Sequence, residues 1–166
     1  MAKRTREGIE ERERALIAEL YPSLRRFAAV VGPIEVDPDD LVQEAFVQNL
    51  VRGGLAQLDT PTAYLRRTIV NLASNHRRRL GRRHRALQRV IVPDSYQPSY
   101  PSDVAELLRL SPRTRAVLYL VSVEGQSYAE VAEVLDCSEP AARATASRGR
   151  RRLRALLVEE ARNESA

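Results

Sequence analysis

The chain has 166 residues, a net charge of +5, 5% aromatic residues, no Trp and a single Cys. One Cys excludes a disulfide framework, and no group of Cys and His has metal-ligand spacing, so we expect neither a metal nor a cofactor. The scarcity of aromatic residues favours aliphatic cores in small helical bundles, and the basic balance is compatible with a polyanionic partner. No run of 18 apolar residues occurs, and no apolar segment follows the charged start, which predicts a cytoplasmic protein without membrane insertion.

The first two segments with helical periodicity are residues 9–31 and the stretch after Asp37. Apolar residues recur at steps of three and four in the first segment, where Pro22 predicts a kink or two abutting helices. Asp37 followed by Pro38 marks the start of a second helix, because the carboxylate can cap free amides and proline suits a first turn. The second helix is expected to bury Leu41, Ala45, Phe46 and Leu50.

A third helix is predicted to begin at Thr60-Pro61 and to carry a run of arginines. Nine arginines and no acidic residue lie between Arg66 and Arg89. Such a run can stabilise the negative end of a helix or remain a solvated surface. The neighbouring Asn71 and Asn75 favour a nucleic-acid face instead, because amides can bond base edges while arginines hold phosphates.

Residues 91–102 contain three prolines, three serines and two tyrosines without helical periodicity, which predicts a linker. The linker divides the chain into a helical unit at 9–90 and a second one at 103–160. The fold class predicted from these patterns is therefore all-α, with two small helical domains joined by a flexible linker.

The second unit contains a helix-turn-helix pattern. Ser111-Pro112 begins one helix, and Ser127 with Glu130 forms the S-x-x-E capping box of the next. Ser138 can cap a last helix whose arginines, among them Arg143 and Arg148, we expect to point together into a DNA major groove. A solvated arginine face is the alternative interpretation. Cys137, in the turn, is predicted to be a small core residue.

Four stretches in this order resemble one protein family. They are DPDDLVQEAFV, AYLRRTIVNLASNHRRR, LSPRTRAVLYL and EGQSYAEVAEVLDCSEPAARATASRGRRRLRALL. They are similar to the extracytoplasmic-function sigma factors, two-domain initiation subunits of RNA polymerase, and most similar to the SigE-like actinobacterial type. The resemblance covers residues 10–157. It implies a non-enzymatic factor that binds core polymerase and directs it to promoters.

The resemblance also implies three sets of site residues. Binding to the clamp helices of the largest polymerase subunit falls to Asp39, Asp40, Leu41, Gln43 and Glu44. Capture of the minus-ten promoter element falls to Tyr64, Arg66, Arg67, Asn71, Asn75, Arg77 and Arg78. Reading of the minus-thirty-five element falls to Ser138, Arg143, Thr145, Ser147, Arg148, Arg151 and Arg152. The flap of the second polymerase subunit and an anti-sigma factor are further partners that the resemblance implies.

Some positions depart from the family pattern. Tyr64 stands where the family usually has Trp, and Asn75 where an acid is common. In the last helix Ala142, Thr145 and Ala146 replace a usual Val, Arg and Leu, and Gly149 interrupts the helix at a cost of roughly 1 kcal/mol. We expect the departures at Tyr64 and Asn75 to alter minus-ten preference or melting, and those in the last helix to weaken or retarget the reading of the minus-thirty-five element.

Two other classes of protein are weighed against a sigma factor. A stand-alone helix-turn-helix regulator would use the basic helix, but it has no use for DPDDLVQEAFV followed by the arginine run. An enzyme acting on nucleic acid would need a phosphate-binding Gly loop, a set of metal ligands or a nucleophile with its base, and the sequence offers none of these.

Overall fold

The structure, a computed structural model, describes residues 2–88 and 107–164. The predicted linker at 91–102 and the start of the second unit at 103–106 lie outside the described residues. Within them the chain is all-α without a strand, as predicted. The elements are α1 (Ala2–Val31), α2 (Pro38–Val51), a short 3-10 helix (Leu55–Gln57), α3 (Pro61–Gln88), α4 (Pro112–Ser122), α5 (Tyr128–Leu135) and α6 (Glu139–Glu164).

The caps predicted from the sequence set the helix starts. The Asp37 carboxylate accepts from the Asp39 amide at 2.8 Å, and the Ser127 hydroxyl and Glu130 carboxylate form a complete capping box. These side chains satisfy amides that the first turn leaves free, so each helix begins at its cap. Of the two alternatives predicted at Pro22, a kink or two abutting helices, the second is wrong, because α1 continues from Ala2 to Val31 with Pro22 inside it.

The N-terminal half, residues 2–88, is a bundle in which α1, α2 and α3 pack against one another. Its core contains the predicted stripe of α3 at Leu65, Ile69 and Leu72. The prediction for α2 is partly wrong: Leu50 is 46% exposed, while Asn49 is buried. Residue 50 lies about 100° around the helix from residue 49, and that rotation carries it out of the core.

The C-terminal half, residues 107–164, packs α4 and α5 against the long helix α6. Ala142 and Ala146 are buried on the inner face of α6, so they belong to the core and not to a DNA-contacting surface. Gly149 lies on the same face, and a Cβ there would sit 2.6 Å from Thr114 Cγ2. Gly149 is therefore what allows α4 and α6 to approach. Cys137 is a free thiol, partly buried against the core.

The two halves are in direct contact. Helix α1 packs against α4, and α3 packs against both α4 and α5. The buried apolar residues of both halves form one continuous cluster. Phe27 of α1 meets Tyr119 of α4 edge to face, with 5.9 Å between ring centroids, an arrangement that aromatic quadrupoles favour. Helix α3 is thereby held beside the helix-turn-helix.

Candidate nucleic-acid interface

One stripe of α3 is open to solvent. Asn71, Asn75 and Arg78 are exposed, and Tyr64 is half-buried. Their spacing of three, four and seven residues puts them on one side of the helix. The Tyr64 hydroxyl accepts a hydrogen bond from Arg52 Nη1 at 3.0 Å, which orients the ring. The stripe combines an aromatic ring, two amides and a cation, which are the groups that bind unpaired bases and phosphates.

The other α3 residues predicted to bind DNA face the C-terminal half. Arg66 is 6% exposed, and its Nη2 atom lies 2.8 and 2.7 Å from the two carboxylate oxygens of Glu124. The Arg66 guanidinium also lies over the Phe27 ring, 5.6 Å from its centroid. This ion pair joins α3 to the segment after α4, so Arg66 is not available to a DNA phosphate in this arrangement.

Arg67 and Arg77 bond to backbone carbonyls of the C-terminal half. Arg67 donates to the Glu133 and Val134 carbonyl oxygens at 2.7 and 3.1 Å, at the end of α5. Arg77 Nη1 donates to the Leu110 carbonyl oxygen at 2.7 Å. The arginines of this run therefore point in different directions. Some of them hold the two halves together, and others face solvent.

The arginines of α6 also point in different directions. Arg143 bonds to Glu139, four residues earlier, at 2.6 Å and lies 4.7 Å from the centroid of the Tyr128 ring. Arg148 is exposed on another side. The expectation that Arg143 and Arg148 point together is wrong, because five residues correspond to about 140° around a helix.

The remaining predicted residues of α6 and its start are mostly open. Ser138 caps the helix, accepting from the Ala141 amide at 3.3 Å. Thr145 is half-buried. The exposed members are Ser138, Arg143, Ser147, Arg148, Arg151 and Arg152.

A cleft of about 520 Å³ lies between α3, α6 and the start of α4. Arg77 and Arg78 line one wall, Arg148 and Arg152 line the other, and none of the described lining residues is acidic. We call it the arginine cleft. Arginines predicted for the minus-ten element and for the minus-thirty-five element thus face one another across a single cationic space.

The start of α2 carries the predicted polymerase-binding residues. Asp40, Gln43 and Glu44 are exposed. Asp39 is engaged internally: it accepts from the Tyr21 hydroxyl at 2.7 Å and from Arg25 at 2.9 Å. The hydrogen bond from Tyr21, aided by the charge of Arg25, holds the pKa of Asp39 below its ordinary value.

Leu41 requires a correction. Its side chain is completely buried, so it packs inside the bundle and offers no surface to a partner. The Oε2 atom of Glu44 lies 3.6 Å from the Nε2 atom of His76 in α3. The acidic surface of α2 is therefore formed by Asp40, Gln43 and Glu44.

Two residues of the interface between the halves were not identified from the sequence. Glu124 is one acid among many, and nothing in its local pattern marks it as a partner of Arg66. Arg115 did have a signal, because it lies within the apolar stretch of α4, where a charged residue at a core-facing position is unusual. It is 2% exposed and donates to the Gly32 carbonyl oxygen at 3.0 Å.

Within the described parts of the chain, no group of His, Cys, Asp and Glu side chains could hold a metal ion. Among those same residues no helix is long and apolar enough to cross a membrane.

Comparison with known structures bears on the fold. The chain is similar to the sigma factor RpoE in its co-crystal structure with the anti-sigma factor NepR from Bartonella quintana. The identity is 23% and the TM-score 0.63, over 87% of this chain and 95% of that one. This likeness supports the two-part helical fold. No curated protein matches the sequence significantly.

Two family models match the chain in order. Sigma-70 region 2 matches residues 16–83, which hold α2 and most of α3, and Sigma-70 region 4 matches residues 104–153, which hold the helix-turn-helix. Together they cover most of the chain, and a stand-alone regulator has no need of the first. These two regions bind core RNA polymerase and promoter DNA. The chain therefore belongs to the sigma-70 family and is an RNA polymerase sigma factor, with the two-region organisation of the extracytoplasmic-function group.

Proposed function

We propose that the protein is a cytoplasmic, non-enzymatic sigma factor of the SigE-like actinobacterial type. Residues 9–90 act as region 2, residues 103–160 as region 4, and residues 91–102 as the linker. The observation that supports this most is that one chain presents two exposed helix faces suited to nucleic acid, on α3 and α6. Two tethered faces suit a factor that binds two promoter elements, because binding of the first raises the effective concentration of the second.

The exposed stripe of α3 captures the minus-ten element. Opening a duplex costs a few kcal/mol per unstacked base, roughly, which must be offset by contacts to the freed bases. Tyr64 can stack on a base, Asn71 and Asn75 can bond base edges, and Arg78 can hold a phosphate. Arg52 acts here as a positioning residue, since it fixes the Tyr64 hydroxyl.

The exposed face of α6 reads the minus-thirty-five element as duplex. Arg148, Arg151 and Arg152 are exposed along one segment of the helix, where they can reach phosphates and guanine edges in a major groove. Ser138 and Thr145 lie in the first two turns, the part of a recognition helix that approaches the bases. Arg143 would have to leave Glu139, a surface pair worth only about 0.3–0.5 kcal/mol.

The acidic surface of α2 binds the polymerase. Asp40, Gln43 and Glu44 are free to contact the clamp helices of the largest subunit. Asp39 and Leu41 support that surface from within, by bonds to Tyr21 and Arg25 and by burial. The C-terminal half contacts the flap of the second subunit.

In this structure the two halves are packed against each other, and we call this the closed arrangement. Arg66, Arg67 and Arg77 can hold minus-ten phosphates only after the C-terminal half has moved away, because they bond to that half. Full capture of the minus-ten element by these three arginines therefore requires the contacts between the halves to break. The similar RpoE structure was solved with an anti-sigma factor, and a partner of that class could hold this protein closed as well.

Run-off transcription with core polymerase on genomic fragments tests the proposal. The purified chain should give transcripts from a defined set of start sites that core enzyme alone does not produce. Absence of any start-site preference, in a preparation that still binds core polymerase, would contradict the promoter-reading role of α3 and α6.

A further inference from the structure

A second cavity between the halves is separate from the DNA-facing stripes. It has a volume of about 650 Å³ and lies between the loop after α1, the C-terminal part of α3, Leu108 and the start of α4. We call it the Arg115 cavity. Its arginines are Arg77, Arg83 and Arg115, and His84 also lines it. Among the described lining residues the acidic one is Glu35, which is exposed at the surface.

Arg115 is the unusual residue of this cavity. It is almost wholly buried, since only 2% of the residue is exposed. It donates to the Gly32 carbonyl oxygen, but its Nε atom is buried and has no hydrogen-bond partner among the described residues. A buried charged group without full pairing costs free energy, because the hydration it loses is not replaced.

The surroundings of Arg115 make its charge more costly. Burial, and then the charge of Arg77, lower the pKa of Arg115 to about 10. Neither arginine forms an ion pair with a carboxylate among the described residues, and the hydrogen bonds of Arg77 go to carbonyl oxygens. Two arginines thus line one cavity, and no described carboxylate forms an ion pair with either of them.

The rest of the cavity wall is apolar. Pro33, Ile34, Leu80 and Leu108 line it, and a Cβ added to Gly81 would meet nothing within 4 Å. A volume of this size, mostly apolar with a few convergent charged groups, is typical of a site for a small organic molecule. An inorganic ion would use the arginines but leave the apolar wall uncovered.

We propose that the Arg115 cavity binds a small organic anion, in which a phosphate or carboxylate group pairs with Arg115 and Arg77 and an attached apolar body covers Ile34 and Leu80. Such a ligand contacts both halves at once. It supplies a counter-charge that the described residues do not provide for Arg115 and Arg77. Because Arg77 is also a proposed minus-ten contact, bound ligand and promoter DNA would compete for that residue.

Isothermal titration calorimetry of the full chain with phenyl phosphate, inorganic phosphate and phenol tests this proposal. Phenyl phosphate combines the two parts of the ligand, and the other probes carry one part each. We expect phenyl phosphate to bind at least about tenfold more tightly than either. Binding of inorganic phosphate as tight as that of phenyl phosphate, or no heat from phenyl phosphate at about 10 mM, would overturn the proposal.

Three variants locate the binding. Arg115→Met removes the charge and keeps much of the volume, and Gly81→Phe fills the open space without removing a cation. Both should weaken phenyl phosphate binding at least about tenfold, with helical circular dichroism unchanged. Arg26→Met removes an exposed arginine of α1 and should have no effect. Equal losses in Arg26→Met and Arg115→Met, or undiminished binding in a folded Gly81→Phe, would place the anion elsewhere and overturn the assignment.

Discussion

Among the arginines of α6, accessibility differs from one residue to the next. Arg143 is held by Glu139 and by the Tyr128 ring, whereas Arg148 faces the arginine cleft with its side chain exposed. Each phosphate contact releases about one counterion, so its loss lowers the slope of log affinity against log salt by nearly one. The phosphate contact of a single arginine can therefore be detected from the salt dependence of DNA affinity.

Arg148→Ala should weaken binding to promoter duplex and reduce the salt slope by about one. Fluorescence anisotropy between about 50 and 200 mM salt measures both quantities. The matched control is Arg162→Ala, an exposed arginine of the same helix beyond the region 4 match, which should keep the wild-type slope. A slope unchanged in Arg148→Ala would mean that this residue does not contact a phosphate.

The acidic residues of α2 permit a second test at the residue scale. Asp40→Ala combined with Glu44→Ala should lower co-elution with core polymerase while leaving the affinity for promoter duplex intact, because α2 lies apart from α6. Glu11→Ala with Glu19→Ala removes the same charge from exposed positions of α1 and should change neither. A joint loss of both activities in the α2 variant would indicate misfolding and not a polymerase contact.

At the scale of the element, two glycines within helices have opposite reasons for being there. Gly149 of α6 faces Thr114 and Leu118 at distances that leave no room for a methyl group. Gly81 of α3 has open space where a methyl group would stand, with no neighbour within 4 Å. Helix propensity favours Ala over Gly at both sites by about 1 kcal/mol, so packing alone separates them.

Gly81→Ala should raise the free energy of unfolding by about 0.5–1 kcal/mol. Gly149→Ala should lower it by about 1–3 kcal/mol, since the β-branched Thr114 is stiff and overpacking exceeds the gain in propensity. Urea denaturation followed by circular dichroism measures both changes. Stabilisation of similar size by the two substitutions would show that α4 and α6 separate readily.

The capping box of α5 makes a pH-dependent contribution to stability. Hydrogen bonds from the Ser127 hydroxyl and amide lower the pKa of Glu130 below its ordinary value of 4.5. Because the folded pKa is the lower one, this contribution is present above pH 4.5 and is lost as the pH falls through the folded pKa. It therefore favours the folded state at neutral pH and fades in acid.

Glu130→Gln keeps a side chain that can complete the box but removes its titration. The difference in free energy of unfolding between wild type and Glu130→Gln should shrink as the pH falls from about 6 to about 3. Urea denaturation at several pH values measures it, with Glu133→Gln, an exposed acid of the same helix, as control. If this difference in free energy of unfolding does not change with pH, the charge of Glu130 does not contribute to the cap.

The helices and their starts could be predicted from the sequence, but the contacts between the halves could not. Asp37, Ser127 and Ser138 act within a few residues of themselves, so their effect is visible locally. Arg67 and Arg115 instead reach carbonyl groups 66 and 83 residues away. Every residue has a carbonyl, so no residue type marks the acceptor. Because these contacts could not be foreseen, the DNA-binding surface predicted from the sequence was larger than the surface that is exposed.

At the scale of the whole molecule, the ion pair of Arg66 with Glu124 is the main charged link between the halves. The side chain of Arg66 is 7% exposed and that of Glu124 is 22% exposed. Removing one partner of a pair this well buried leaves the other charge without compensation. The closed arrangement should be sensitive to Glu124 for that reason.

Glu124→Gln should favour separation of the halves and raise the affinity for a single-stranded minus-ten oligonucleotide, because Arg66 becomes available to phosphate. Fluorescence anisotropy with a labelled oligonucleotide measures the change. Glu133→Gln removes an equal charge from an exposed position nearby and serves as the control for general electrostatics. An equal gain in both variants would attribute the effect to net charge and leave the closed arrangement without a role in masking α3.

The carbonyl acceptors at this interface have a consequence for how the protein can diverge. A side chain on the accepting face can be replaced without removing the acceptor, since the oxygen belongs to the main chain. Arg67, Arg77 and Arg115, by contrast, each need a guanidinium of the right reach. In an alignment of homologues, the donor arginines should therefore be conserved while the residues that supply the carbonyl groups vary. Methods that infer contacts from correlated substitutions would then miss this interface.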